Sequence, residues 1–470
     1  MEMDKELARY RKEIAEIDSQ ILKLAKSRFQ KAQEIGELKR REKLPAVDLK
    51  AEAEVTERSL KLANEIGLDE ALTSKLSGML ITKAVEVQGG LAKNRASFLY
   101  DIFEKVKELE AKGEKVTRLD VGEPDLSSPV ELKDALRDAL YGSSFIGYAS
   151  SKGVKELREA IADDLNHRYG ADIDAEQVLI TPGGKFAIFA AILATVSSYD
   201  HVVIPEPTWP TYGNCVSVAN GRVDVIHTLF EDQWDIDMGD VETTFSVRPK
   251  LFILCSPNNP TGKIFPAKSL RELVKLAEKR GTYVLADEVY CSYAAVPFES
   301  VLQAANSNFI YIGTFSKKYG MTGWRVGYVV SDAKTIAKML SLIQISVTCV
   351  PDFIQRAALR ALNMEQEPYD TFAKTMRQRI DTACKELDKL PFVYNRPDGG
   401  MYVFPKANVE GFNSNKFAYQ LLAEEKVSVA PGDAFGDYHE HFRISLGTNL
   451  ENIRSGIRKM GKAINGWGKR

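Results

Sequence analysis

Thr314-Phe315-Ser316-Lys317-Lys318-Tyr319-Gly320-Met321-Thr322-Gly323-Trp324-Arg325 follows the apolar run Phe309–Ile312. The stretch therefore belongs at the carboxyl end of a buried strand, the edge where open α/β sheets bind ligands. A lysine placed there attacks an aldehyde once its ammonium is partly desolvated or held among cations. Arg325, eight residues on, offers a planar fork that neutralises a phosphate.

Outward from this stretch the same grammar repeats. Val202-Val203-Ile204, Leu251–Leu254 and Tyr283–Ala286 are short apolar runs without polar alternation, separated by amphipathic helical text such as 267–280. Runs of that kind predict a mostly parallel sheet covered by helices on both faces. Asp287-Glu288-Val289-Tyr290 comes straight after one of them. A carboxylate buried there is costly unless it meets a cation, and a protonated pyridine nitrogen is such a cation. Asn258-Asn259-Pro260-Thr261-Gly262 forms a turn after Leu251–Leu254, and Thr181-Pro182-Gly183-Gly184-Lys185 precedes the helical run 186–196. Glycines ahead of a helix leave free N–H groups and a positive dipole end, which suit a phosphate. Singly, each has a plainer reading as a solvated lysine, a turn or a helix start.

Together, and in this order, they resemble the aspartate aminotransferase family of fold-type I pyridoxal-phosphate enzymes, from about residue 95 to the C-terminus. The likeness is carried by the pattern SxSKxxxMTGWRxGY, with Thr314 at its first position, and by NNPTG followed by DEVY. It implies pyridoxal 5′-phosphate as cofactor. Lys317 would bind it covalently and move a proton between substrate Cα and cofactor C4′, with Asp287 on the pyridine nitrogen. Asn259 and Tyr290 would bond the phenolic oxygen, Trp209 would stack on the ring, and Gly184, Lys185, Thr314 and Arg325 would hold the phosphate. Tyr148 resembles the tyrosine that reaches a neighbouring subunit's phosphate, which implies a dimer. Arg443, in Phe442-Arg443-Ile444-Ser445, resembles the arginine that grips the substrate α-carboxylate, with Gly122 lining the same pocket. The implied architecture is α/β: a large cofactor domain over about 140–350, and a smaller α+β domain from about 95–139 and 351–470. The implied reaction is ping-pong transamination between amino acids and 2-keto acids.

Residues 1–88 read differently. They hold one proline, Pro45, and three glycines, and Leu7, Tyr10, Ile14, Ile17, Ile21 and Leu24 recur at spacings of three and four. Ile35 and Leu38 resume the seam, so one helix is expected to run to about residue 41. Arg28 falls on this seam, where an apolar residue belongs. A buried cation costs several kcal/mol unless paired, although snorkelling to the surface is the commoner outcome. Lys39 shares its face roughly 16 Å along the axis, a gap for one small dianion, while Arg11 is roughly 25 Å away and reaches the gap only from a second chain. Asp48 and Glu52 follow on a second helix, and Gln88 ends a third.

That layout resembles the all-helical chorismate mutase family over the whole of 1–88. YRKEIAEID, Ser27-Arg28, EIGELK at 34–39, LPAVD at 44–48 and Gln88 carry the likeness. It implies an all-α, three-helix domain of helical-dimer type. Arg28 and the partner subunit's Arg11 would clamp the carboxylates of chorismate, Lys39 and Gln88 would face the ether oxygen, and Asp48 and Glu52 would meet the hydroxyl and back Lys39. Ala51 and Ala84 depart from the family, which commonly has an arginine and a hydroxyl donor there. Residues 89–94 read as a short linker.

The bulk properties agree with a globular enzyme. The 470 residues are 44% hydrophobic and 27% charged, with a net charge of -2, so nothing draws the chain to nucleic acid or an anionic membrane. Residues 1–88 carry 17 basic and 17 acidic side chains, so the basic footprint of a DNA-binding module is missing. The polar start and the brevity of the longest apolar run, Phe186–Val196, point away from a secretory signal or a membrane span. Five scattered cysteines indicate a reducing cytoplasm, and neither they nor the His439/His441 pair form a metal-ligand pattern. Two readings follow: a bifunctional enzyme of aromatic amino-acid synthesis, or an aspartate/aromatic aminotransferase whose helical module binds an effector or drives assembly. Both expect a homodimer or a larger homo-oligomer.

Overall fold

The computed structural model describes residues 2–88, 97–142 and 146–467. By internal packing the chain divides into two units, 1–93 with 198–200, and 94–197 with 201–470. The segment expected as a linker, 89–94, lies outside the described residues.

The first unit is all helical. The alternating three- and four-residue apolar spacing produces α1 (Glu2–Arg41), a single helix of 40 residues. α2 (Leu49–Ile66) starts where Asp48 accepts the Ala51 amide at 3.1 Å, and ends at Gly67, whose φ of 71° is the left-handed stop that glycine takes without strain. α3 (Glu70–Val87) starts in the same way on Asp69. α3 packs on both α1 and α2. Gly36 lets α1 close on Gln88: a Cβ there would come 3.0 Å from the Gln88 backbone. The first half of α1 finds no such cover among the described residues; Leu7, Tyr10, Ile14, Ile17 and Ile21 remain 45–57% exposed.

The second unit opens with α4 (Ser97–Ala111), β1 (Thr117–Arg118), α5 (Val130–Tyr141) and α6 (Lys155–Tyr169). There follow β2 (Val178–Thr181), α7 (Gly183–Thr195), β3 (His201–Glu206), β4 (Arg222–His227), β5 (Leu251–Cys255), β6 (Tyr283–Asp287), β7 (Phe309–Thr314) and β8 (Gly327–Ser331). Strands β2 to β8 form one sheet in the order β2-β8-β7-β6-β5-β3-β4, parallel throughout except for β8. Successive strand residues point to opposite faces. Leu251 and Ile253 accordingly join a core with Ala187 and Ile188 of α7, while Phe252 and Leu254 join another with Leu157 and Ile161 of α6. Burial on both faces is why these strands carry no polar alternation.

A smaller layer is built around Phe442–Ser445, flanked antiparallel by Tyr402–Val403 and Ala430–Pro431. Helices Glu367–Leu387, Ser414–Glu425 and Leu450–Asn465 cover it, and Ile102 and Val106 of α4 complete its core. At the expected domain borders, Leu132 of α5 and Ala358 and Ala361 of helix Asp352–Asn363 pack into the core of the large sheet.

Candidate active site

Because β3, β5, β6 and β7 run parallel, their carboxyl ends deliver Trp209, Asn259, Asp287 and Lys317 to one edge of the sheet. These four line one cavity of about 430 Å³ together with Gly122, Gly184, Lys185, Tyr290, Thr314, Arg325 and Arg443. Tyr148 is apart from them, 89% exposed.

Lys317 Nζ donates to the Gly122 carbonyl at 2.5 Å. Burial pushes its ammonium down to about 8; Glu123 opposes the shift, and Arg443 adds to it. Burial likewise pushes the Asp287 carboxyl up to about 6, against hydrogen bonds from the Tyr212 hydroxyl at 2.6 Å and the Val289 amide. In both groups burial disfavours the charged form and outweighs their attraction for one another.

Arg443 sits on the central strand of the small sheet and is 4% exposed. It donates to Asn259 Oδ1 at 2.9 Å and to the Asp120 carbonyl at 2.5 Å, and its buried Nε has no hydrogen-bond partner among the described residues. At the start of α7, Gly183 (φ 78°) brings the backbone against Arg325: a Cβ there would come 2.6 Å from the guanidinium. Gly184, Thr314, Ser316 and Arg325 thus bring the helix start, hydroxyls and a cation into the cavity lining. Lys185 lies at the rim, its ammonium 5.1 Å from the Trp209 ring centre.

Pyridoxal phosphate fits these residues. The helix start with Arg325 suits a phosphate dianion, Asp287 suits a pyridinium, the desolvated Lys317 amine suits an aldehyde, and Arg443, a buried cation in the cavity lining, suits a carboxylate. Two side chains in the site carry no motif: Tyr212, bonded to Asp287, and Tyr402, whose hydroxyl lies 2.8 Å from that of Tyr290.

In the helical unit, Arg28 is half-buried and donates to the Leu80 carbonyl at 2.6 Å. Burial, with Arg58 nearby, holds its guanidinium below the ordinary range. Lys39 donates to the Ala46 carbonyl at 2.9 Å, Glu52 is 7% exposed on α2, and Gln88 Oε1 is buried without a hydrogen-bond partner among the described residues. Asp48 is exposed and its carboxylate serves as the cap of α2, while Arg11 is fully on the surface of α1. Among the described residues no cluster of histidine, cysteine and carboxylate side chains could hold a metal ion.

Comparison with known proteins agrees with this geometry. Residues 114–460 match the model of aminotransferase class I and II, and residues 10–89 match chorismate mutase type II. The aspartate aminotransferase of Thermotoga maritima is 34% identical over 366 residues, covering 77% of this chain and 94% of that protein. The Aquifex aeolicus protein named "Probable aspartate/prephenate aminotransferase" is 33% identical over 373 residues, with coverage of 77% and 94%. The solved structure of the Thermus thermophilus aspartate aminotransferase with maleate superposes with a TM-score of 0.74 at 30% identity, over 79% of this chain and 99% of that one. The chain belongs to the class I and II aminotransferases, which depend on pyridoxal phosphate, and it carries a chorismate mutase type II domain at its N-terminal end.

Proposed function

We propose that this chain is a bifunctional enzyme of aromatic amino-acid synthesis. Its helical unit rearranges chorismate to prephenate, and its larger unit transfers an amino group to prephenate, an aromatic 2-keto acid or oxaloacetate. The observation that carries the second activity is that Lys317 and Arg443 line one cavity and donate to the carbonyls of Gly122 and Asp120, two residues apart in the chain. An α-carboxylate held by Arg443 would then share the cavity with the buried Lys317 amine.

Pyridoxal phosphate, when bound, supplies an aldehyde and an electron-withdrawing ring. The chain's own residues do the rest. Arg443, fixed by Asn259 and Asp120, receives the α-carboxylate and orients the Cα–H bond toward Lys317. Lys317 Nζ would take the proton from Cα and carry it toward the bound cofactor, a task suited to an amine whose pKa is lowered to about 8. Asp287 would hold positive charge at the pyridine nitrogen, Asn259 and Tyr290 would bond the phenolic oxygen, and Trp209 would cover the ring against water. Gly184, Lys185, Thr314 and Arg325 hold the phosphate, with Tyr148 reaching the site of a second subunit. The acceptor reading is supported by the Aquifex relative's name and by the mutase domain, whose product would be prephenate.

For the mutase, the reaction is unimolecular and needs a held conformer with charge beside the breaking C–O bond. Arg28, Lys39, Glu52 and Gln88 supply it, with Asp48 at the hydroxyl and Arg11 contributed by a second copy that covers the apolar face of α1. The dimer so formed, and a second pairing through the aminotransferase unit, fit either one common two-fold axis or a larger assembly. Five free cysteines fit a reducing cytoplasm.

Ala51 and Ala84, which offer no donor, favour a second reading in which the helical unit binds an aromatic effector or drives assembly. Chorismate consumption by the purified full chain separates the two: no turnover at millimolar chorismate sinks the mutase. A keto-acid panel with glutamate and aspartate as donors identifies the acceptor.

A further inference from the structure

Tyr402 is 1% exposed and lies on a strand in register with the one carrying Arg443. Three groups of the site meet on it. Its hydroxyl is 2.8 Å from that of Tyr290, with the two rings edge-on at 78°. Its ring centre lies 4.5 Å from the Arg443 guanidinium, which also has Phe435 at 4.9 Å. A Cβ at Gly122 would overlap the Tyr402 hydroxyl, so glycine is required where the carbonyl receives Lys317.

We infer that Tyr402 is a positioning residue for transamination: its hydroxyl donates to Tyr290 and aims the Tyr290 proton at the cofactor's phenolic oxygen, while its ring sets the plane of the Arg443 fork. The inference rests on the placement of Tyr290 given above. A phenol has one proton. If Tyr290 gives it to the phenolic oxygen, its own oxygen is left to accept, and among the described residues the Tyr402 hydroxyl lies within reach to donate. Two hydroxyls in series polarise each other, so the second strengthens the first. Burial raises the pKa of both phenols, Tyr290's well above its ordinary range, which keeps them protonated as donors near neutral pH. The charged and titratable groups facing the pair are Lys317, 5.7 Å from the Tyr290 ring centre, with Arg443, Asp287 and Cys255.

The test is the pH titration of the holoenzyme's visible absorbance band, alongside steady-state kinetics. A donor on the phenolic oxygen draws charge from the conjugated nitrogen and lowers the pKa of the band. Tyr402→Phe keeps the ring, so it should raise that pKa by about half a unit or more while leaving KM for the amino donor within about twofold. Tyr402→Leu should also raise KM several-fold, because the guanidinium loses an aromatic face. Combining Tyr402→Phe with Tyr290→Phe should move the band no further than Tyr290→Phe alone. An unmoved band in Tyr402→Phe, with a clear shift in Tyr290→Phe, overturns the relay, as does an additive shift in the double variant. An unmoved band in Tyr290→Phe instead overturns the placement of Tyr290 on which the relay rests. An unchanged KM in Tyr402→Leu overturns the role of the ring.

Discussion

The Tyr212 hydroxyl donates to Asp287 Oδ2 across 2.6 Å, and both groups are buried. Among the described residues the other carboxylate oxygen receives the Val289 amide alone, at 3.4 Å. Tyr212 therefore orients the Asp287 carboxylate and favours its ionised form, which is the form the proposed pairing with a pyridine nitrogen needs. A hydrogen bond to a charged group is worth about 1.5–3 kcal/mol. Tyr212→Phe should slow the half-reaction with an amino donor roughly 10- to 100-fold, followed as single-turnover change in the visible band. A rate within twofold of the unaltered enzyme would show that Asp287 needs no such support.

In the proposed mechanism Lys317 binds the aldehyde covalently and moves the Cα proton, and Lys317→Ala removes both functions. Transamination should fall by several orders of magnitude, and the visible band should become that of non-covalently held cofactor. Chorismate consumption should persist, since no residue assigned to it lies in the second unit. Retained transamination in this variant would refute the assignment of Lys317.

How far these residues are legible in the sequence depends on how far apart their partners lie. Lys317, Asp287 and Asn259 each sit a few residues past an apolar run, so the strand that buries them also locates them. The extent of α1 is legible for a similar reason, because its periodicity is local. Tyr212 and Tyr402 are not, since their partners are 75 and 112 residues away. On helix Thr211–Val218 and strand Tyr402–Val403 they read as apolar core. The opposite problem arises at Asp48, where a residue that resembles a substrate ligand also caps a helix, and local spacing cannot rank the two uses.

Asp287 gives the cofactor-free protein a signature in pH. Its folded-state carboxyl titrates at about 6 against an ordinary 3.8, so the native state binds the proton more tightly than the unfolded one. The stabilisation this brings is complete below the ordinary value and is lost as pH rises through about 6. Stability of the cofactor-free protein should therefore decline across that window relative to Asp287→Asn, which has no proton to lose. Urea midpoints taken for both proteins across the same pH series test this. Parallel curves would mean that the carboxyl is not shifted upward.

Arg11 and Arg28 are on one helix, seventeen residues or roughly 25 Å apart, too far to clamp one small ligand within one chain. The exposed apolar seam beside it, Leu7 to Ile21, is where a second copy would pack. If each mutase site takes Arg28 from one chain and Arg11 from the other, Arg11→Ala and Arg28→Ala should each abolish chorismate turnover while transamination continues. Mixing the two variants after reversible dissociation should restore activity, because the mixed dimer holds one site with both arginines. Statistical pairing sets the recovered turnover at about a quarter of the unaltered enzyme's. Failure to recover, with mixed dimers confirmed by differential tagging, would place both arginines in one chain's site or neither. Full activity in Arg11→Ala alone would remove it from the site altogether.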